Sequence, residues 1–386
     1  MNILYCGPYF SEKAIQEKSS ISQAGARWSL ELIAALRQLG HNVVVVSHCT
    51  EQLWPRGKVF WQNGNEEWFA DSQCRRIPYL NFPFLRSKWL GFRYAAEVRK
   101  VCRNMQIDAF LCYNTVVPWH VSAMKSAKAC GVPCYPIVLD GNDPRKDGWR
   151  KMLYDNRYAT GVVFLSYWLA SNYPAGKMAG GKLPILHLDG GAKDFRGVRP
   201  SDAKPHGAFT VLHTGSLNKY RELGFIAKAL KYYTDSMTRF LFTGKVSIND
   251  VREMCGDDPR IEVKGFMPVD ELNAICREAD AFLNVRVPDH GDNVVNFPSK
   301  LPQSLSWGRP VVSTWVASLA PYYRDILYLA DGNTPKGLAA ALDRIRHLDS
   351  ELRLGYYEKA KEWFVANKTW NVQAKRLVDW IESCHR

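Results

Sequence analysis

No run of 18 apolar residues occurs anywhere in the 386-residue chain, so no segment has the length and character of a membrane-spanning helix. The opening MNILYCGPYF reads as a strand rather than as a secretory leader, and the expected location is the cytoplasm. Among ten cysteines there is no CxxC pair. Cys130 and Cys134 stand four apart without a second ligand pair, so the thiols are expected to be reduced and to hold no metal. Internal repeats are absent, which excludes a solenoid. No GxGxxG follows the first strand, so no bound dinucleotide is inferred, and no DxD motif offers a divalent cation two carboxylates.

Acidic residues are scarce in one half only. Through position 200 there are 26 Lys and Arg against 15 Asp and Glu, and beyond it 25 against 23, so most of the net charge of +13 belongs to the N-terminal half. A basic surface of that kind meets an anionic partner, either a phospholipid face or a nucleic acid. Residues 53–103 concentrate the signal. Rings such as Trp54, Phe60, Phe84, Trp89 and Phe92 alternate there with Arg75, Arg86, Lys88, Arg93 and Lys100. That mixture suits the headgroup zone of a bilayer, and equally phosphates with an exposed base to stack on.

The apolar pattern alternates short buried runs with helical stretches. Met1–Cys6, the four valines within Asn42–Ser47, Ile107–Cys112, Val132–Leu139, Thr160–Ser166 and Leu183–Leu188 read as strands. Trp28–Leu39, with Leu30, Ile33, Ala34 and Leu36 at helical spacing, reads as the first crossover helix. After a Pro-, Lys- and Asp-rich linker at 196–207 the pattern restarts with Phe209–His213, Phe240–Thr243, Ile261–Lys264, Ala281–Val285 and Pro310–Ser313. Strands alternating with helices predict parallel sheets, and the length suits two domains of about 150 to 200 residues. The predicted fold class is α/β, with two Rossmann-like domains facing across a cleft. Predicted boundaries are 1–200, 201–365 and a last helix, 366–386, that returns to the first domain.

The stretch 281–314 organises the second half. Between its two strands lies a polar loop ending in Asn296-Phe297-Pro298-Ser299-Lys300, where the proline and the hydroxyl predict a helix start. A helix opening at the carboxyl end of a parallel strand offers unpaired N–H groups to phosphate oxygens, and Lys300 adds a full charge. In the first half Asp140 directly follows a buried strand and His120 opens a helix, which makes both candidates for the ligand crevice.

The segment from Pro298-Ser299-Lys300 to Trp307-Gly308-Arg309-Pro310 resembles the donor-binding stretch of retaining glycosyltransferases of family four, a GT-B family with two Rossmann-like domains. The resemblance implies transfer of a sugar from a nucleoside diphosphate sugar, with UDP or GDP, to an acceptor hydroxyl, with retention and with no cofactor or metal. It implies that Ser299 and Lys300 meet the diphosphate and that Gln303 meets the ribose, where the family carries a glutamate; a further family glutamate is Val295 here. Asp289, His290 and Asp292 are the substitutes for that lost carboxylate on the sugar hydroxyls. Thr214-Gly215-Ser216 with Lys219 and Arg221 stands where the family places an Arg and a Lys on the diphosphate, Ser216 at the Arg position and Arg221 at the Lys position. Gly265-Phe266-Met267 corresponds to the slot for the base, Gly25 to the small residue that approaches the phosphates, and His120 with Asp140 to the sugar and acceptor side. The implied acceptor is a lipid-linked glycan at the cytoplasmic membrane face. A hydroxymethylated base in DNA is the rival acceptor, and a non-catalytic binding subunit the rival function.

Overall fold

The computed structural model describes residues 1–17, 20–61, 68–71, 74–139, 143–177, 183–195, 209–287 and 290–385. Contacts divide the chain into two compact units, Met1–Gly190 with Trp370–Arg386, and Gly191–Thr369.

The first unit is built on β1 (Asn2–Cys6), β2 (Asn42–Ser47), β4 (Arg75–Arg76), β6 (Ala109–Tyr113), β7 (Cys134–Val138), β8 (Val162–Phe164) and β9 (Ile185–His187). A small antiparallel hairpin of β3 (Phe60–Trp61) and β5 (Tyr79–Leu80) stands beside them. The sheet runs in the order β4-β2-β1-β6-β7-β8-β9 with every pair parallel. Strands buried on both faces explain the unbroken valine run of β2. The helix Gln23–Gln38 buries Trp28, Leu32, Ile33 and Leu36, and it ends where Gly40 takes φ 84° and His41 N–H closes back on the Leu36 carbonyl. It starts five residues before the predicted Trp28, because Gly25 and Ala26 pack inside it rather than in a loop.

Residues 53–103, read from the sequence only as an aromatic and basic stretch, contain the 20-residue helix Leu85–Asn104. Its inner face buries Leu90, Tyr94, Val98 and Val101. The rings divide: Phe69, Tyr79 and Tyr94 belong to the core, whereas Trp54, Phe60, Phe82, Phe84, Trp89 and Phe92 are exposed. Phe84 opens the helix at φ 64°, a left-handed conformation that costs a residue with a side chain roughly 1–2 kcal/mol. The terminal helix Trp370–Cys384 belongs to this unit: Trp370 meets Trp28 edge-on at 5.7 Å and Trp380 meets Tyr135 at 5.4 Å.

The second unit carries β10 (Phe209–Thr214), β11 (Thr238–Thr243), β12 (Ile261–Gly265), β13 (Ala281–Asn284), β14 (Val311–Ser313) and β15 (Tyr328–Leu329), in the order β12-β11-β10-β13-β14-β15, all parallel. Its core joins Phe209, Phe240, Phe242, Leu338 and Ile345. The chain winds outward from β10 in one direction and from β13 in the other, so the carboxyl ends of β10 and β13 form a topological switch point. Ligands of open α/β sheets settle at such points. β1 and β6 form the matching point of the first unit.

Candidate active site

At the switch point of the second unit three glycines clear the strand ends. Gly215 follows β10 at φ 121°, and its N–H donates to the Thr243 carbonyl at 3.0 Å. Gly244 follows β11, and a Cβ there would lie 2.6 Å from the Gly215 carbonyl oxygen. Gly265 ends β12 at φ 68° and its carbonyl accepts from Gly244 N–H at 2.7 Å. Backbone packed this closely needs glycine at both contacts. Phe266, next in sequence, is exposed, and Met267 is half-buried.

Asn218 then caps a five-residue π-turn, Lys219–Leu223, its Oδ1 accepting from Tyr220 and Arg221 N–H at 3.2 Å each. Such turns gather at functional sites. The turn aims Arg221 over the switch point. Arg221 Nη1 lies 3.0 Å from the His290 imidazole and 3.4 Å from Asp292 Oδ2. Asp292 is exposed, so that pair is screened and can be exchanged for a better anion. Glu222 is only 4% exposed; its Oε2 accepts from Asn218 N–H at 3.2 Å and lies 3.9 Å from Arg221 Nε. Lys219 points elsewhere, its ammonium held by Glu253 and 3.8 Å from Asp250.

A cation that the sequence reading passed over completes the group. Arg286 emerges just beyond β13, with its backbone clamped by Thr314: Arg286 N–H donates to Thr314 Oγ1 at 2.8 Å, and that hydroxyl donates to the Arg286 carbonyl at 2.6 Å. Burial pushes the Arg286 guanidinium below its ordinary value, Glu222 opposes that shift and Arg221 adds to it, so all three charges share one field. His213, on β10, feels the same field. Burial brings its imidazole down to about 4, backbone groups of Leu283 and Ser216 oppose the shift, and Arg286 adds to it. The signal for Arg286 lay in the alternation of 281–287, where a charged residue directly follows a buried strand.

The loop after β13 departs from its predicted form. The helix begins at Leu301, not at Pro298, and spans only Leu301–Leu305. Pro302 occupies its first turn and has no N–H to give, while Leu301 N–H already turns back to the Pro298 carbonyl at 2.9 Å. Ser299 and Lys300 therefore lie in an exposed turn before the helix. The Lys300 stem passes 3.8 Å from where a Gly215 Cβ would be, which brings Lys300 to the Gly215-Ser216 loop. Ser216 is exposed, and Gln303 is half-buried on the short helix. Phe297 is buried against Tyr323 at 6.0 Å, Pro298 is buried, and Asn296 ends the short helix Asp292–Val295. Phe297 and Pro298 are thus packed into the unit rather than presented to solvent.

In the first unit Gly25 is buried, and a Cβ there would lie 2.0 Å from the Tyr113 hydroxyl, so it permits close packing against the end of β6. His120 lies in the helix Pro118–Ala129, buried, with Nδ1 3.3 Å from the Asn114 carbonyl oxygen. Burial brings it down to about 4, so it is a neutral imidazole at neutral pH. Asp140 and Asp289 lie outside the described residues. Among the described residues no cluster of His, Cys, Asp and Glu could hold a metal ion. No helix there is long and apolar enough to cross a membrane.

Residues 208–347 match the model of the glycosyl transferases group 1 family. No curated protein is similar enough in sequence to count as a relative. Solved structures are similar over the whole chain. A glycosyltransferase from Rickettsia africae is 14% identical with a TM-score of 0.68, covering 100% of this chain and 98% of its own. The Anabaena protein HepE, in complex with UDP and glucose, is 13% identical with a TM-score of 0.64, covering 99% of this chain and 100% of its own. The lipopolysaccharide outer core galactosyltransferase WaaB, in its apo form, is 14% identical with a TM-score of 0.63 and coverage of 99% on both sides. At these identities the likeness carries the fold alone, and the matched family model assigns residues 208–347 to a group 1 glycosyl transferase domain. The chain is a glycosyltransferase of the GT-B fold, with a group 1 domain in its C-terminal unit.

Proposed function

We propose that the protein transfers a sugar from a nucleoside diphosphate sugar to a hydroxyl of a lipid-linked glycan, with retention, at the inner face of a membrane. The donor half rests on Arg221, which lies 3.0 Å from the His290 imidazole and 3.4 Å from Asp292 beyond β13, with Lys300 beside Gly215 and Arg286 sharing the field of Arg221 and Glu222. Guanidinium groups match diphosphate oxygens in paired hydrogen bonds, and here they replace the missing cation at Ser216. The complex of HepE with UDP and glucose supports a uridine nucleotide as the first donor to try. Exposed Phe266 beside Gly265 and Met267 is suited to the base, and Gln303 to the ribose.

In the reaction the bond between the anomeric carbon and the leaving diphosphate breaks while the acceptor oxygen bonds that carbon from the same face. The acceptor proton passes to a phosphate oxygen. The chain's task is to hold both substrates and to stabilise charge growing on the diphosphate, the role given to Arg221, Arg286 and Lys300. Residues 1–200 take the acceptor, with His120 and Asp140 on the sugar side; residues 201–365 take the donor; and 366–386 brace the first domain. Thermal stabilisation by UDP- and GDP-sugars, followed by turnover of the stabilising donor, tests the reading. It fails if no nucleotide sugar stabilises the protein.

A further inference from the structure

The outer face of the helix Leu85–Asn104 carries what the inner face of a soluble helix would. Leu85, Trp89 and Phe92 recur at i, i+4 and i+7 on the solvent side, and Phe92 is 64% exposed. The inner stripe of Leu90, Tyr94, Val98 and Val101 already meets the fold, and this second apolar stripe stays exposed among the described residues. Phe82 and Trp54, stacked at 5.2 Å, extend the patch past the start of the helix. At its tip stands Phe84, 93% exposed and held at φ 64°. A left-handed phenylalanine that buries nothing in the free protein is a strain with no return inside the fold, and such strain points to a partner.

The charge of the same surface chooses among partners. From 81 to 96 the chain carries no carboxylate, with Lys88 exposed and Arg93 half-buried, and Arg56 and Lys58 stand exposed in a second carboxylate-free run from 52 to 60; Arg86 turns inward, donating to the Glu51 carbonyl and lying over the Tyr79 ring. Lys88 lies within the exposed apolar stripe itself. Apolar rings at the tip with cations around them match an anionic interface, where rings enter the acyl boundary and ammonium or guanidinium groups meet lipid phosphates. Duplex DNA suits the cations but gives Phe84, Leu85 and Phe92 no apolar phase to enter.

We infer that the N-terminal unit docks on an anionic lipid bilayer through the outer face of Leu85–Asn104, with Phe84 as the inserted wedge. This deepens the acceptor part of the proposed function, since a lipid-linked acceptor is met at that surface, and it rests on that reading for its purpose but not for its test. The test is sedimentation of the full chain with vesicles of phosphatidylcholine alone and of phosphatidylcholine mixed with phosphatidylglycerol. The parent should bind the mixed vesicles. Phe84→Gly and Phe92→Ser should each weaken binding about tenfold, the share of one buried aromatic side chain. Glycine is at ease at a positive φ, so Phe84→Gly should keep or raise the unfolding midpoint while binding falls, which separates loss of the wedge from loss of the fold. Lys88→Glu should weaken binding to the mixed vesicles. Absence of vesicle binding by the parent, equal binding to phosphatidylcholine alone, binding indifferent to both aromatic variants, or duplex DNA held more tightly than vesicles would each overturn the inference. Stabilisation by UDP, measured on the same samples, reports the donor reading separately.

Discussion

Replacing Arg286 by methionine keeps the length of the stem and removes the guanidinium proposed to stand in for the cation absent at Ser216. Its backbone is clamped by Thr314 at 2.8 and 2.6 Å, so the loop should survive the change. A hydrogen bond between charged partners contributes about 1.5–3 kcal/mol. Loss of one on the diphosphate should therefore weaken UDP binding roughly 10- to 150-fold. There is a second cost. Glu222, 4% exposed, has Arg286 and Arg221 as its opposing charges, and losing one leaves a buried carboxylate worse paired, at about 1–3 kcal/mol of stability. Arg286→Met with Glu222→Gln removes that second effect and should restore the unfolding midpoint but not the affinity. Adding Ser216→Arg to Arg286→Met moves the cation to the position the resembled family uses, and should recover part of the binding. Titration calorimetry with UDP on these variants decides the matter: affinity within about twofold of the parent in Arg286→Met refutes the role given to Arg286.

Lys300→Ala should weaken UDP binding by a smaller factor than Arg286→Met, about tenfold or less, because its exposed ammonium is screened; the same calorimetry ranks the two. Gly308→Ala should cost about 1–3 kcal/mol and lower the unfolding midpoint by several degrees, since Gly308 sits at φ 66° and a Cβ there would lie 2.6 Å from the Tyr357 ring. Stability should fall on acidification, because burial holds His120 and His213 down at about 4 while the unfolded chain titrates near 6.5. Between those values the unfolded state binds more protons, so the stability is present above about 6.5 and is lost as the pH falls towards 4, on the order of 3 kcal/mol for each histidine. Urea unfolding at neutral pH and near pH 5 should show the loss, and His213→Asn should shrink it; a flat profile refutes the neutral, buried histidines.

Much of the fold was legible because parallel strands buried on both faces leave unbroken apolar runs, as in Asn42–Ser47 and Ala281–Asn284. The helix Leu85–Asn104 was not, because its outer face also carries rings; two apolar stripes on one helix blur the period that a single stripe makes plain. The helix start at Pro298 was misplaced for a related reason. Proline marks the first turn of a helix but not which of its residues opens it, and Pro302 competes with Pro298 for that place.

The proposed donor site shows the limit of reading positions one at a time. Ser216 in the sequence says that a charge is missing, and nothing near it in the chain says where the charge went. Arg286 lies 70 residues further on, yet β10 pairs with β13 through Val211 with Ala281 and Leu212 with Phe282, so the residues beyond the two strand ends share one end of the sheet. A phosphate oxygen responds to the field at a point in space, and a guanidinium supplied from β13 reaches the same switch point as one supplied from the loop after β10. On the proposed reading, what the diphosphate requires is the charge at the switch point rather than a particular strand to bring it. The same logic tells where else to look when a site residue is absent: at the carboxyl end of the strand hydrogen-bonded to the one that lost it.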